Sequence, residues 1–301
     1  MLKNIRKQID GWLVIDKPLN IGSTDVVSKI KWSLSPIKIG HAGTLDPLAS
    51  GVLPIALGHA TKLIPFVMDG TKIYDFQITW GSETQTDDKE GQITKTTDKR
   101  PTDKEVRSVL SDFIGVIEQV PPAYSALKVD GKRAYDLARS GQEVTLKPRA
   151  IQIKELHLLR FDEACADFRV VCGKGTYVRS LGRDIGRKLG CLGYISQLRR
   201  VACGPFNLDQ ATDISNFNEK RESISVLPID MALNHMPMLD CPETIATRLK
   251  QGQRLRVKDV IPFLSAPMQD EDIIRIISEN RLIGLARIQC GIIHPYRMFG
   301  A

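Results

Sequence analysis

One acidic side chain in this chain sits in a loop that cannot be drawn into a helix. Residues Gly40-His41-Ala42-Gly43-Thr44-Leu45-Asp46-Pro47 set a single carboxylate among glycines and a proline, and the apolar run Leu48-Ala49-Ser50-Gly51-Val52-Leu53-Pro54-Ile55-Ala56-Leu57-Gly58 follows directly. The proline stops a helix from absorbing the aspartate. The two glycines let the backbone approach a ligand closely, and the small residues leave room beside the carboxyl group. Asp46 is therefore the first candidate for chemistry.

With 301 residues and 42% apolar content, the chain can bury a sizeable core, as one large domain with a small one or as two of similar size. Lys and Arg number 42 against 35 Asp and Glu, a net charge of +7 that favours an anionic partner such as nucleic acid. The excess is concentrated: residues 174–200 hold Lys174, Arg179, Arg183, Arg187, Lys188, Arg199 and Arg200 against a single acid, Asp184. None of the cysteines forms Cys-x-x-Cys and the histidines do not join them at zinc spacing, so neither a metal nor disulfides are indicated. No apolar signal core follows Met1, and no run approaches the roughly 20 residues that span a bilayer. The expectation is a cytoplasmic protein without a membrane association.

Along the chain, Trp12–Ile15 reads as a buried strand, and Ser23-Thr24-Asp25 caps a helix carrying Val26, Val27, Ile30 and Leu34. Tyr74–Trp80 alternates apolar and polar side chains and reads as a strand with one face inward. Residues 81–101 are polar and turn-rich, which predicts a mobile segment outside the core. Thr102-x-x-Glu105 is a capping box for a helix running to about Phe113. Asp130-Gly131 marks a hairpin turn, and the short helix after it is predicted to end at Gly141. Strands are expected at 151–161, 166–172 and 196–202. Between the last two, Thr176 is placed to cap a helix with Val178, Leu181, Ile185 and Leu189 on its core side and Arg179, Arg183 and Arg187 on another. For Arg183 and Arg187 the reading is phosphate contact or a solvated surface. A composition break at residues 236–242 marks a domain boundary, beyond which a short helix and several strands are expected.

Three separated strings carry a resemblance. Gly-His-x-Gly-Thr-Leu-Asp46, with Asp16-Lys17-Pro18 upstream, Lys72-x-Tyr74, and Gly173-Lys-Gly-Thr-Tyr-Val-Arg179 stand in the order found in the TruB family of tRNA pseudouridine synthases, which the chain resembles. Alone, a Leu-Asp-Pro would be a turn and a tyrosine opening a strand would be packing. The resemblance implies an α/β (α+β) pseudouridine synthase fold with a mixed, mainly antiparallel central sheet crossed by the cleft. It also implies a catalytic domain over residues 1–237, an RNA-gripping insertion at 121–148, and a small β-rich PUA-like RNA-binding domain at 238–301.

Its implied reaction turns the uridine at position 55 in the TΨC arm of tRNA into pseudouridine without cofactor, metal or guide RNA, by a protein expected to be a monomer. Asp46 is then the catalytic carboxylate. A carboxylate among apolar residues tends toward its neutral form unless a cation stands beside it, and Arg179 is the candidate cation. Tyr74 would stack on the target base, act in proton transfer, or both. Tyr177 and Leu198 would line the uracil pocket, and His41 would stack within the rearranged RNA loop in place of the extruded bases. Lys62 would reach a phosphate or the aspartate network, and Lys17 with Pro18 would hold the first strand near the active loop. Two other readings use the same basic surface: a tRNA-binding folding chaperone that performs no chemistry, and a guide-dependent synthase.

Overall fold

A computed structural model describes residues 6–299 except 126, 130, 141–144, 216 and 218–224. The expected turn residue Asp130 and helix terminator Gly141 fall outside the described residues. In chain order the first strands are β1 (Gly11–Lys17), β2 (Ile39–His41), β3 (Ala49–Leu57), β4 (Lys72–Trp80), β5 (Ser82–Thr84) and β6 (Ile93–Thr96). There follow β7 (Gly115–Gln119), β8 (Lys128–Val129), β9 (Lys132–Arg133), β10 (Arg149–Phe161), β11 (Cys165–Cys172), β12 (Gly193–Cys203), β13 (Phe206–Asn207) and β14 (Thr212–Asp213).

The main sheet runs β14-β1-β3-β12-β4-β11-β10-β7, with β2 on β3 and β13 on β12. Only the β1–β14 and β3–β12 pairings are parallel, so the sheet is mixed and mainly antiparallel. β4 owes its central place to its alternation: Phe76, Ile78 and Trp80 are buried on one side, where Phe76 stacks on Phe168 of β11 and Trp80 meets that ring edge-on. The helix Val178–Leu189 covers that side, and Val178, Leu181, Ile185 and Leu189 enter the same core, as the spacing predicts. It lies directly on β12 because Gly186 has no Cβ to collide with the backbone at Gly193.

β12 stays paired with β3 for only three positions, Leu198 with Ala49, Arg199 with Ser50 and Arg200 with Gly51. An irregularity in its register against β4 falls between Ile195 and Gln197. The loop carrying Asp46 enters β3 where the parallel pairing begins, and the cleft opens there.

The remaining strands, Met238–Asp240, Leu255–Arg256, Ile273–Ser278, Arg281–Gln289 and Ile292–Met298, form a second, five-stranded sheet. Its core is shared with the helix Glu243–Lys250. Leu285 and Phe299 also pack with Trp12, Leu63 and Val67 of the first part of the chain.

Three local expectations need correction. The helix Ser23–Leu34 is preceded by Gly22, whose N–H donates to the Asp25 carboxylate at 2.9 Å, so Ser23 is its first residue and not its cap. Thr176 does not cap the next helix either. Tyr177 occupies the cap, its N–H donating to Gln119 Oε1 at 2.9 Å while Gln119 Nε2 donates to the Tyr177 carbonyl at 3.1 Å.

The third concerns the polar stretch after β4, which is an ordered ribbon, β5 paired with β6, and not a mobile excursion. Glu83, Thr84, Asp87 and Asp88 are buried in it. Charge misled the reading because each buried acid meets an arginine from a distant helix. The capping box at Thr102 and Glu105 is present as expected.

Candidate active site

Ser23, freed from capping, pins the loop. Its buried hydroxyl donates to the Leu45 carbonyl at 2.9 Å and accepts from the Leu45 N–H at 2.8 Å, one residue before Asp46. From the other side Lys17, fully buried, donates through Nζ to the carbonyls of Pro18, Ile21 and Pro47 at 2.9, 2.8 and 3.4 Å. Burial pulls the Lys17 ammonium down to about 8, with Asp46 opposing that fall and Arg200 adding to it. The Asp16-Lys17-Pro18 string thus ties the first strand to the aspartate loop. Removing the Ser23 hydroxyl leaves two backbone groups of the loop unpaired in a dry site. Ser23→Ala should lower unfolding free energy by about 1–3 kcal/mol, read from urea unfolding.

Arg200 is the third anchor and is almost wholly buried. Nε donates to the Val52 carbonyl at 2.7 Å and Nη2 to the Gly43 carbonyl at 3.0 Å. Gly51 pairs with it at φ 101°, a left-handed backbone at which any Cβ would run into the Arg200 carbonyl, so only glycine fits. Arg200 also stands close enough to the Tyr74 hydroxyl to act on its ionisation.

With the loop held in this way, Asp46 Oδ2 lies 2.9 Å from Arg179 Nη2, and the two side chains are 43% and 8% exposed respectively. The carboxylate faces the cleft while the guanidinium is embedded behind it. Arg179 is itself fixed by donating from Nη1 to the Thr86 carbonyl and from Nη2 to the Tyr124 carbonyl, both at 3.0 Å, and its Nη1 lies 3.6 Å from Asp88 Oδ2. Asp46, Leu48, Ala49, Asp88, Arg179 and Leu198, with the Ile195–Gln197 segment of β12, line a cleft of about 250 Å³, open solvent included.

Of the expected site residues, the structure brings together Asp46, Arg179 and Leu198. Tyr177 lies close enough to feel the charges of Arg179 and Asp46, and burial raises its hydroxyl. Tyr74, like Leu198, packs against both the core under the helix Val178–Leu189 and the one formed by Leu13, Ile15, Leu53 and Ile55; burial pushes its hydroxyl up to about 12 although Arg200 pulls the other way. It is a protonated phenol at neutral pH. His41 ends β2 with Nδ1 buried and unpartnered, and burial together with Arg200 lowers its ring toward the neutral form. Lys62 lies elsewhere. Its Nζ donates to the Met298 carbonyl at 3.3 Å and sits 5.3 Å from the Phe299 ring centre, while Arg297 donates to its carbonyl. Its contacts join the first part of the chain to the last strand and do not include the aspartate.

Arg183 and Arg187 are each paired with an acid of the protein, Arg183 enclosed and Arg187 half exposed. Arg183 Nη1 is 2.9 Å from Asp87, and Arg187 binds both Glu83 oxygens at 2.5 and 2.8 Å. Other cations of the basic stretch also have acid partners, Lys174 with Asp69, Lys188 with Asp112 and Arg199 with Asp16. Sequence reading missed Asp87, Asp88, Thr86, Gln119 and Arg200. The available signal was the acids at 83, 87 and 88 standing opposite arginines spaced by four. Among the described residues no group of three His, Cys, Asp or Glu side chains is placed to hold a metal ion, and no helix is long and apolar enough to cross a membrane.

This geometry meets an independent likeness. Residues 31–178 match the family described as TruB family pseudouridylate synthase (N terminal domain), residues 179–234 the tRNA pseudouridylate synthase B C-terminal domain, and residues 237–299 the pseudouridine synthase II TruB C-terminal family. The chain is 45% identical to tRNA pseudouridine synthase B of Paracoccus denitrificans (strain Pd 1222), covering 99% of each chain. To the Rhizobium etli protein of the same name it is 46% identical, covering 97% of each. Its fold is similar to that of a chain in a Cbf5-Nop10-Gar1 complex, with TM-score 0.74 at 24% identity over 96% of this chain and 85% of that one.

Proposed function

The chain belongs to the TruB family and is a tRNA pseudouridine synthase, and from that premise we propose that it isomerises uridine 55 in the TΨC arm of free tRNA without a guide RNA. The observation that carries the reading is the 2.9 Å pair of Asp46 and Arg179 at a cleft, with the carboxylate exposed and its cation embedded. The reaction breaks the bond from C1′ to N1, turns the uracil, and joins C5 to C1′. The C5 proton leaves and N1 gains one, so the product is an isomer. No redox partner or cofactor enters that balance.

The target nucleotide must leave its stack to reach Asp46, at a cost of a few kcal/mol. Asp46 then meets the sugar from the open side of the cleft while Arg179 holds Oδ2. Its charge is matched by a guanidinium already oriented by two carbonyls and Asp88, so little reorganises as charge moves. Leu198 and Tyr177 bound the space in which the freed base turns. A Tyr74 hydroxyl held at about 12 supports a stacking role, because such a phenol keeps its proton at neutral pH. His41, neutral and with an unpartnered Nδ1 at the loop entrance, supplies a flat ring to fill the stack that the extruded base leaves. Residues 121–148 are assigned to gripping the arm, and residues 238–301 to a second RNA contact.

The test uses purified protein and an unmodified tRNA transcript labelled with tritium at uridine C5. Tritium release, with pseudouridine mapped to position 55, is the expected outcome. Conversion only when a guide RNA is added, or binding without release, would refute the reading in favour of a guide-dependent enzyme or a chaperone.

A further inference from the structure

The arginines of the helix Val178–Leu189 form a ladder whose top rung is the pair just described. Arg179, Arg183 and Arg187 stand on successive turns, about 6 Å apart along the axis. The ribbon that follows β4 answers them in reverse order with Asp88, Asp87 and Glu83. The upper two rungs are enclosed, with Arg179 and Asp88 each 8% exposed and Arg183 and Asp87 8% and 11%, whereas Arg187 on the third is half exposed. Arg183 spends its remaining donors on the Val120 carbonyl and on Asp184, both at 2.9 Å.

Asp87 also shapes the chain on either side of it. Its φ of 61° is left-handed, and the Thr86 carbonyl before it and the Asp88 carboxylate after it both reach Arg179, while its own carboxylate reaches Arg183. Its backbone is bound to the cleft wall: the Ile195 N–H donates to the Asp87 carbonyl and the Lys89 N–H to the Ile195 carbonyl, each at 3.0 Å. The catalytic guanidinium is therefore held by a segment whose own anchor is one helical turn away.

The charges acting on Asp87 are Arg183, Arg179, Arg187 and Asp184 from the helix; its own ribbon also carries Glu83, Asp88 and Lys89, and the Ile195–Leu198 stretch of β12 brings no charged side chain. Burial still lifts the Asp87 carboxyl from 3.8 to about 6 against the three guanidiniums. The native chain then holds this proton more firmly than the unfolded chain does. Its contribution to stability falls as pH rises through that window, so the ionised form weakens the fold when counted alone. A buried ion pair that does little for stability, placed behind a reacting group, points to a role in geometry.

We propose that Asp87 and Arg183 are a positioning pair for the reaction, holding Thr86 and Asp88 against Arg179 and so setting the orientation of the guanidinium that grips Asp46. The proposal rests on the reaction assigned above, and wild-type conversion of the transcript is the control that separates the two.

The test measures single-turnover tritium release and tRNA binding for Asp87→Asn and Arg183→Lys at pH 7.5, with circular dichroism confirming the fold. The expected result is a rate loss of about tenfold or more with the dissociation constant within about twofold, because misplacing a catalytic group by an ångström is costly. A smaller rate loss in folded protein overturns the proposal. If the single variants fail to fold through a stranded buried charge, Asp87→Asn combined with Arg183→Gln removes both charges and is judged by the same criterion. Wild-type rates across pH 5–8 give a further readout: they should fall as pH drops through about 6, and Asp87→Asn should lose that limb. A flat wild-type profile, or an acid limb unchanged in Asp87→Asn, also overturns it. A wild type that converts no uridine refutes the assigned reaction instead, whereas an active wild type with unaffected variants refutes only the pairing.

Discussion

Asp46→Asn abolishes pseudouridine formation, with a single-turnover rate lowered about 10⁴-fold or more, while tRNA affinity stays within about threefold of the wild type. The substitution keeps the size of the side chain and one oxygen for Arg179. What it removes is the negative charge that must meet the ribose. The variant should also fold normally, because the 43% exposed side chain is not among the anchors of its own loop; those are Ser23, Lys17 and Arg200. Tritium release from labelled transcript, alongside nitrocellulose filter binding, checks both halves. Residual release near the wild-type rate would remove Asp46 from the chemistry, and parallel loss of binding would make it a recognition residue.

Arg179→Lys has the second largest expected effect, and it separates charge from shape. An ammonium keeps the positive charge but cannot reach Asp46, Asp88 and the Thr86 and Tyr124 carbonyls together, as the planar fork does. The expected rate loss is about 10²- to 10³-fold, the scale seen when one preorganised donor is taken from a reacting charge. Arg179→Ala goes further and strands Asp88 and two carbonyls in a buried site. It should cost about 3–5 kcal/mol of stability as well as activity. Thermal unfolding of the two variants distinguishes them: lysine leaves the melting temperature near that of the wild type and alanine lowers it.

Parts of this site were legible before any fold was known. Asp46 stood out because glycine and proline remove the alternatives for the chain around it, and Arg179 because it begins a helix whose apolar spacing is unmistakable. The strand at Tyr74–Trp80 and the capping box at Thr102 follow from local periodicity and local hydrogen bonding, which depend on near neighbours in sequence. Errors arose where a local pattern met a distant partner. Ser23 and Thr176 have the chemistry of helix caps, but Ser23 is taken by Leu45 and Thr176 by the Gly173 carbonyl. Polar residues 81–101 read as solvated because nothing nearby neutralises them, yet three of their acids meet arginines from residues 179–187. The basic stretch at 174–200 stood out by charge, but the acids that pair with Lys174, Arg179, Arg187, Lys188 and Arg199 lie far off in sequence.

By itself the sequence determined the chemistry on offer: one carboxylate in a loop barred from becoming helix, a helix with one apolar face, and strands of period two. Those properties are set by neighbours within a few residues, through dihedral limits and side-chain spacing. Tertiary structure alone decided which charges are buried together, that Asp87 and Asp88 stand behind Arg179, and that Lys62 makes its contacts away from Asp46. A charge is tolerated in a protein interior only opposite a countercharge or backbone groups that hydrogen-bond it, and ion-pair partners 90 or more residues apart along the chain meet only when the sheet has folded.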